Sequence, residues 1–196
     1  MKTDFKESAR RILDPLIGLL ARLGVTPDQV TLTGLALTFA ASACLAVDRY
    51  PLATALLLVG SVCDALDGGL ARRTGRGTRF GAFFDSTLDR YAEAAIFMGL
   101  GIGYARGGQV LLVGVAFAAA AGSLLVSYAR ARAEGLGEAC KVGLMERREG
   151  LVVLVLGGAA GPRYMPWAVW LPAALTHITA LQRIAHVYRV LRSEGR

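Results

Sequence analysis

The sequence predicts an all-α integral membrane protein, with six transmembrane helices preceded by an N-terminal amphipathic helix lying in the membrane interface. Three observations point there. Of the 196 residues, 54% are hydrophobic and only 19% charged, where an ordinary soluble domain carries about a quarter charged. Mean hydropathy is +0.47. Six apolar stretches, most near the roughly 20 residues that a membrane helix needs, alternate with turn signals, and no sustained two-residue alternation marks a strand. This pattern excludes a disordered chain and argues against an ordinary soluble enzyme. Three scattered cysteines, Cys44, Cys63 and Cys140, make neither a disulfide framework nor a zinc site.

The elements follow in order. Residues 1–29 form the interfacial segment. Phe5, Ala9, Ile12, Leu13, Leu16, Ile17 and Leu20 recur at helical spacing, while Lys6, Arg10 and Arg11 occupy another face, as in a helix lying on a membrane. Charge is spread through this segment, so it does not read as a signal peptide. A soluble helix packed on a partner is the competing reading. Gly24 to Pro27 breaks the helix. Residues 30–196 form the six-helix domain, with apolar stretches at 30–47, 51–71, 80–104, 109–129, 151–164 and 167–190. The fifth is short and glycine-rich. Turns are marked by Asp48 to Pro51, by Arg106-Gly107-Gly108 and by Gly161-Pro162-Arg163. The run Gly99-x-Gly101-x-Gly103 reads as a helix-packing surface, and His177 and His186 read as structural.

Charge sets the orientation. Eighteen of the 22 basic residues fall in the N-terminal segment, the second-to-third and fourth-to-fifth connections, and the C-terminal end. The opposite connections hold only Arg49, Arg106 and Arg163, and Arg90 lies inside the third stretch. Positive residues favour the cytoplasm, so both termini are expected there. The formal charge of +7 thus reads as topology, and nucleic acid is not an expected partner.

Five acidic residues, Asp64, Asp67, Asp85, Asp89 and Glu93, fall within the second and third apolar stretches. Carboxylates there are costly and usually mark function. Asp64, Asp67 and Ala71 share one helix face, and Gly81, Asp85, Asp89 and Glu93 step by four along another. The intervening segment is short and basic, so the two helices are antiparallel neighbours, and four carboxylates converge near the cytoplasmic end. Glu93 lies deeper and reads as structural. Converging anions repel, and a divalent cation or two resolves the repulsion. Oxygen donors without histidine or cysteine favour Mg²⁺ or Mn²⁺. Gly68, Gly69, Gly75, Gly77 and Gly81 let the backbone approach a ligand, and Arg72, Arg73, Arg76 and Arg79 attract phosphate. The residues therefore point to metal-assisted phosphate chemistry at the cytoplasmic surface. A proton-coupled or cation transporter is the competing reading, since transporters also bury carboxylates.

The run Asp64-x-x-Asp67-Gly68-x-x-Ala71-Arg72, eight residues, then Gly81-x-x-x-Asp85-x-x-x-Asp89, resembles the full signature of the CDP-alcohol phosphotransferases. The resemblance implies an enzyme of phospholipid synthesis in a prokaryotic cell membrane, its active site cytoplasmic and its assembly a homodimer. It implies that Asp64, Asp67, Asp85 and Asp89 hold two metal ions, with Asp89 also the general base. Gly68, Ala71, Arg72 and Gly81, beside Asp64 and Asp67, would line the nucleotide pocket. The donor would be a CDP-linked lipid, CDP-diacylglycerol or an ether analogue; a soluble CDP-alcohol stays open. The acceptor would lose a proton and CMP would leave. Ser127 to Glu134, Lys141-x-Gly143-x-x-Glu146-Arg147, Asp85 to Arg90 and Thr26-Pro27-Asp28 are similar to the branch that makes phosphatidylinositol phosphate or archaetidylinositol phosphate. That likeness implies inositol 1-phosphate as acceptor, held by Arg130, Lys141, Arg147 and Arg183. Relatives in that branch often read Glu-Arg-Pro-Glu-Arg where this chain has Glu146-Arg147-Arg148-Glu149-Gly150. Glycerol 3-phosphate, also a phosphorylated polyol, is the alternative acceptor. These cations could instead do no more than set topology.

Overall fold

The computed structural model describes residues 13–194. Lys2, Phe5, Lys6, Ala9, Arg10, Arg11, Ile12 and Arg196, invoked above, lie outside the described residues. The described chain is all helical: α1 (13–22), α2 (Pro27–Ala46), α3 (Tyr50–Thr74), α4 (Arg79–Arg106), α5 (Val110–Glu134), α6 (Arg147–Ala160) and α7 (Met165–Glu194).

Helix α1 ends on Gly24, whose φ is +73°. The Gly24 amide donates to Ala21 and the Val25 amide to Leu20, the two bonds of a Schellman stop. Helix α2 starts three residues before its apolar stretch, because a capping box precedes it. The Thr26 hydroxyl accepts from the Gln29 amide, and the Gln29 side chain accepts from the Thr26 amide, satisfying two amides that a helix start leaves open. Pro27 sits where its missing N–H costs nothing. Helix α3 runs one turn past its apolar stretch, through Arg72 and Arg73, and stops at Gly75, with φ of +64°. Only residues 75–78 then separate it from α4, whose first turn is capped by the Thr78 hydroxyl accepting from the Gly81 amide at 2.8 Å.

The helices α2 to α7 pack as a closed ring of neighbours: α3 on α2, α2 on α4, α4 on α5, α5 on α7, α7 on α6, and α6 back on α3. Small residues set the crossings. A Cβ on Gly99 would collide with the Ser42 carbonyl, and one on Gly103 would lie 2.8 Å from the Leu45 oxygen, so α2 and α4 touch backbone to backbone. The glycine run is thus a packing surface, as its spacing predicts. Ala41, Leu45, Leu57, Ile96, Leu100 and Val169 fill the shared core. His177 Nε2 lies 3.1 Å from the Ala118 carbonyl and ties α7 to α5. Pro172 lies inside α7, where it removes one backbone donor.

Helices α2, α3 and α5 are long and apolar enough to cross a membrane. Helix α6, with 14 residues, is about 21 Å long, short of the roughly 30 Å hydrocarbon layer. Helix α4 has the length, at 28 residues, but carries Asp85, Asp89, Arg90 and Glu93 between its second turn and its midpoint. Among the described residues three helices thus pass on length and hydropathy, where the sequence predicts six spans.

Candidate active site

The ring encloses a pocket of about 70 Å³ lined by α2, α3, α4 and α6. One end is acidic, with Asp64 and Asp67 from α3 and Asp85 and Asp89 from α4. The other end is closed by Leu57, Ile96 and Leu154, each under 5% exposed. The acidic end follows from helical geometry. Asp85 and Asp89 are one turn apart on α4, and Asp64 reaches them from α3, although α3 and α4 are not the packed neighbours that the sequence predicts: α2 packs against both and stands between them.

Asp64, Asp85 and Asp89 each offer a carboxylate oxygen within 4.8 Å of the other two. At an effective dielectric near 20, two ionised carboxylates at that distance repel by on the order of 3 kcal/mol. Three such pairs approach the net stability of a whole domain, about 5–15 kcal/mol, so the geometry asks for a compensating positive charge. The donors are all oxygen, partly buried and convergent, which fits a hard divalent cation.

Asp67 stands apart from that trio although it lines the same pocket. It is 6% exposed. Its Oδ2 accepts from the Thr31 hydroxyl at 2.7 Å and its Oδ1 from the Gly68 amide. The Thr31 partner comes from α2, and sequence reasoning missed it. The available signal was the threonine one turn along from Asp28, at the start of the first apolar helix. Glu93, read as structural, lines the pocket too, as does Arg148 from α6. Arg90 donates to the Ser86 carbonyl at 2.7 Å and lies 3.7 Å from Asp89 Oδ2.

The glycines divide by role. Gly69 is filled by Ile17 of α1, which packs where a Cβ would stand, so it serves docking of α1 rather than ligand approach. Arg73 reaches the same helix through the Asp14 carbonyl and carboxylate, at 3.3 and 3.5 Å. Gly68 faces the Arg72 guanidinium, 3.4 Å from the Cβ position. Gly81 faces Thr78 and the Asp28 carboxylate, the latter at 3.6 Å. Ala71 is half-buried on the same helix.

The four cations assigned to the acceptor differ in setting. Arg130 pairs with Glu134 at 2.9 Å, and Lys141 is exposed on the segment after α5. The Arg147 side chain lies outside the described residues. Arg183 is 2% exposed. It donates to the Val126 carbonyl at 2.7 Å and the Val142 carbonyl at 2.9 Å, and it lies 3.7 Å from Glu146. Val126 is one turn before Arg130, Val142 follows Lys141, and Glu146 precedes Arg147. Arg183 therefore ties together the three pieces of backbone that carry the other cations.

Residues 24–181 match the CDP-alcohol phosphatidyltransferase family. The chain is 39% identical to an archaetidylinositol phosphate synthase of Methanothermobacter thermautotrophicus, over 98% of this chain and 96% of that one. It is 39% identical to a phosphatidylinositol phosphate synthase of Streptomyces avermitilis, over 91% of this chain and 79% of the relative. Its structure resembles the crystal structure of Mycobacterium tuberculosis phosphatidylinositol phosphate synthase with CDP-DAG bound, with a TM-score of 0.85 and 32% identity over 91% of this chain and 94% of that one. The same enzyme in complex with manganese and citrate aligns with a TM-score of 0.81 and 32% identity, over 89% of this chain and 88% of that one. The matches decide for an enzyme over a transporter: the chain is a phosphotransferase and belongs to the CDP-alcohol phosphatidyltransferase family.

Proposed function

We propose that this enzyme moves a phosphatidyl-type group from a CDP-linked lipid to inositol 1-phosphate and releases CMP. The observation that carries the reading is the convergence of Asp64, Asp85 and Asp89 at the mouth of a pocket whose inner end is apolar. An amphipathic donor needs both ends. The relatives support the acceptor, being named for inositol phosphate products, and one similar structure holds CDP-DAG.

In this reading Asp64, Asp67, Asp85 and Asp89 hold two Mg²⁺ or Mn²⁺ ions, which supply electrostatic stabilisation of the phosphate charge. Gly68, Ala71, Arg72 and Gly81 surround the nucleotide, with Asp64 and Asp67 beside it. Asp89 takes the proton of the acceptor hydroxyl. The hydroxyl oxygen bonds to the phosphorus that bears the lipid, and the bond from that phosphorus to CMP breaks. Arg130, Lys141, Arg147 and Arg183 supply positive charge for the acceptor phosphate, Arg183 from behind, through the backbone it holds. All six helices α2 to α7 lie in a prokaryotic cell membrane, α1 lies on its cytoplasmic face, the site and both termini are cytoplasmic, and the enzyme works as a homodimer.

The test is CMP release by the purified full chain with CDP-diacylglycerol, Mg²⁺ or Mn²⁺ and a panel of acceptors. Inositol 1-phosphate is expected to exceed glycerol 3-phosphate, serine and free inositol. A preference for glycerol 3-phosphate would keep the chemistry and overturn the acceptor. No CMP release with any acceptor would overturn the reaction.

A further inference from the structure

A second cavity, of about 300 Å³, opens beside the C-terminal half of α7. Val142, Gly143 and Leu144 form one side, and Gln182, His186 and Arg189 of α7 form the other. The first side is held in place from α7. The Val142 carbonyl accepts from Arg183, and the Leu144 amide donates to the Thr179 hydroxyl. A Cβ on Gly143 would collide with the Thr179 methyl. The cavity is therefore framed by bonded backbone and is not a loose gap beneath a connection. It shares no lining residue with the pocket that holds Asp64, Asp85 and Asp89.

Its chemistry suits an anion that also carries hydroxyls. Among the described residues that line it, Arg189 is the one permanent positive charge and none is acidic. A guanidinium has five N–H donors, and here the Nε one goes to the Ala185 carbonyl at 3.1 Å. His186 Nε2 lies 3.4 Å from the Ala139 carbonyl; with a proton there, the neutral ring keeps Nδ1 as an acceptor. Gln182 Oε1 is buried and has no hydrogen-bond partner, a state that buried polar atoms rarely keep. A ligand bringing both a phosphate and hydroxyls answers Arg189 and the two acceptors together.

The surface leading to the cavity is apolar. Leu171, Ile178, Gln182 and Arg189 step along α7 by two turns, one turn and two turns, so they share one face. Leu171 and Ile178 are exposed, as is Leu144 at the rim. Leu171 lies about three turns, or about 16 Å, from Gln182, close to half of the roughly 30 Å hydrocarbon layer. A soluble anion has no use for such a strip, and an acyl chain does.

We propose that this cavity binds an anionic phospholipid with a hydroxyl-bearing headgroup. Its phosphate meets Arg189, its hydroxyls meet Gln182 and His186, and its acyl chain lies along Ile178 and Leu171. This rests on the membrane placement of α7 proposed above, and it is independent of which donor and acceptor react.

The experiment titrates phosphatidylglycerol, phosphatidic acid and phosphatidylcholine into the detergent-solubilised full chain, with bound lipids counted by native mass spectrometry and Tm measured on the same samples. Phosphatidylglycerol is expected to bind about tenfold tighter than phosphatidylcholine and to raise Tm as its concentration rises. Arg189→Gln should lose about tenfold in phosphatidylglycerol affinity and keep its phosphatidylcholine affinity. Gln182→Leu should weaken phosphatidylglycerol about fivefold and spare phosphatidic acid, which has the phosphate without the glycerol hydroxyls. Arg163→Gln, at the other end of α7, should change none of these. Equal affinity for the three lipids, or an undiminished phosphatidylglycerol preference in the folded Arg189→Gln or Gln182→Leu variant, would overturn the proposal. Displacement of phosphatidylglycerol by millimolar inorganic phosphate would assign the cavity to a free anion and overturn it too. A chain that stays in solution without detergent would refute the membrane placement itself, a result separable from the others.

Discussion

Arg183→Met is the substitution with the largest expected effect outside the carboxylates. The methionine fills the same channel but donates nothing. Two backbone carbonyls, Val126 and Val142, lose their partners in a place that is 2% exposed. A hydrogen bond involving a charged group contributes about 1.5–3 kcal/mol, so the pair is worth about 3 kcal/mol at the lower bound. The ion pair to Glu146 adds little, since it spans 3.7 Å and Glu146 is 53% exposed. For a chain of this length about 3 kcal/mol lowers Tm by roughly 6–12 °C. Thermal unfolding of the detergent-solubilised protein measures it. The acceptor KM should rise in the same variant, because residues 135–146 lose their anchor, while the CDP-donor KM stays close to the starting value. Glu146→Gln is the control and should shift Tm by no more than about 1–2 °C, in line with the small value of an exposed pair. An Arg183→Met protein with unchanged Tm would refute the anchoring argument, whatever happened to its kinetics.

Three further outcomes follow from the site and the packing. Chelation with EDTA should abolish CMP release and Mg²⁺ or Mn²⁺ should restore it; Asp64→Asn should weaken Mn²⁺ binding, whereas Asp48→Asn, at the other end of α2, should not. Asp89→Asn should remove turnover while sparing donor affinity, read by CMP release beside CDP-lipid binding; near-normal turnover would take Asp89 out of the base role. Gly99→Ala forces a Cβ against the Ser42 backbone, and overpacking of this kind costs about 1–3 kcal/mol, so Tm should fall by several degrees with the metal site intact.

The acidic site was legible because its information is local. Asp85 and Asp89 repeat at one helical turn, and a short glycine-rich connection keeps the end of α3 near the start of α4; that α2 packs against both helices, in place of direct packing between α3 and α4, was not legible. The partner of Asp67 was not legible, because Thr31 is 36 residues away and no periodicity links them. The start of α2 was hidden for another reason. Thr26 and Gln29 are polar, so hydropathy passes over the capping box that sets the boundary. The setting of Arg183 was not legible either. It was read as a cation for the acceptor, and the two carbonyls that it meets in the interior, Val142 and Val126, are 41 and 57 residues away. Gly69 reads like Gly68 in sequence, and only the position of Ile17 separates them.

The division of labour in the site follows from how each half is built. The carboxylates stand on two long helices joined by a four-residue turn, and α2 braces both through Thr31 and through the glycine contacts at Ser42 and Leu45. Displacing any one of them would require moving a whole helix against a close-packed core. The cations opposite are carried by the end of α5, the irregular segment 135–146 and the start of α6. Their backbone is gathered by one arginine and by Thr179, whose hydroxyl accepts from the Leu144 and Met145 amides at 3.1 and 3.0 Å. Rigid elements suit metal and nucleotide chemistry, where small misplacements are costly. A segment held by a few side-chain bonds suits the part that discriminates among acceptors, since its shape can change without disturbing the metal-binding helices. In the proposed function the chemistry therefore belongs to the ring and the acceptor preference to the connection beside it.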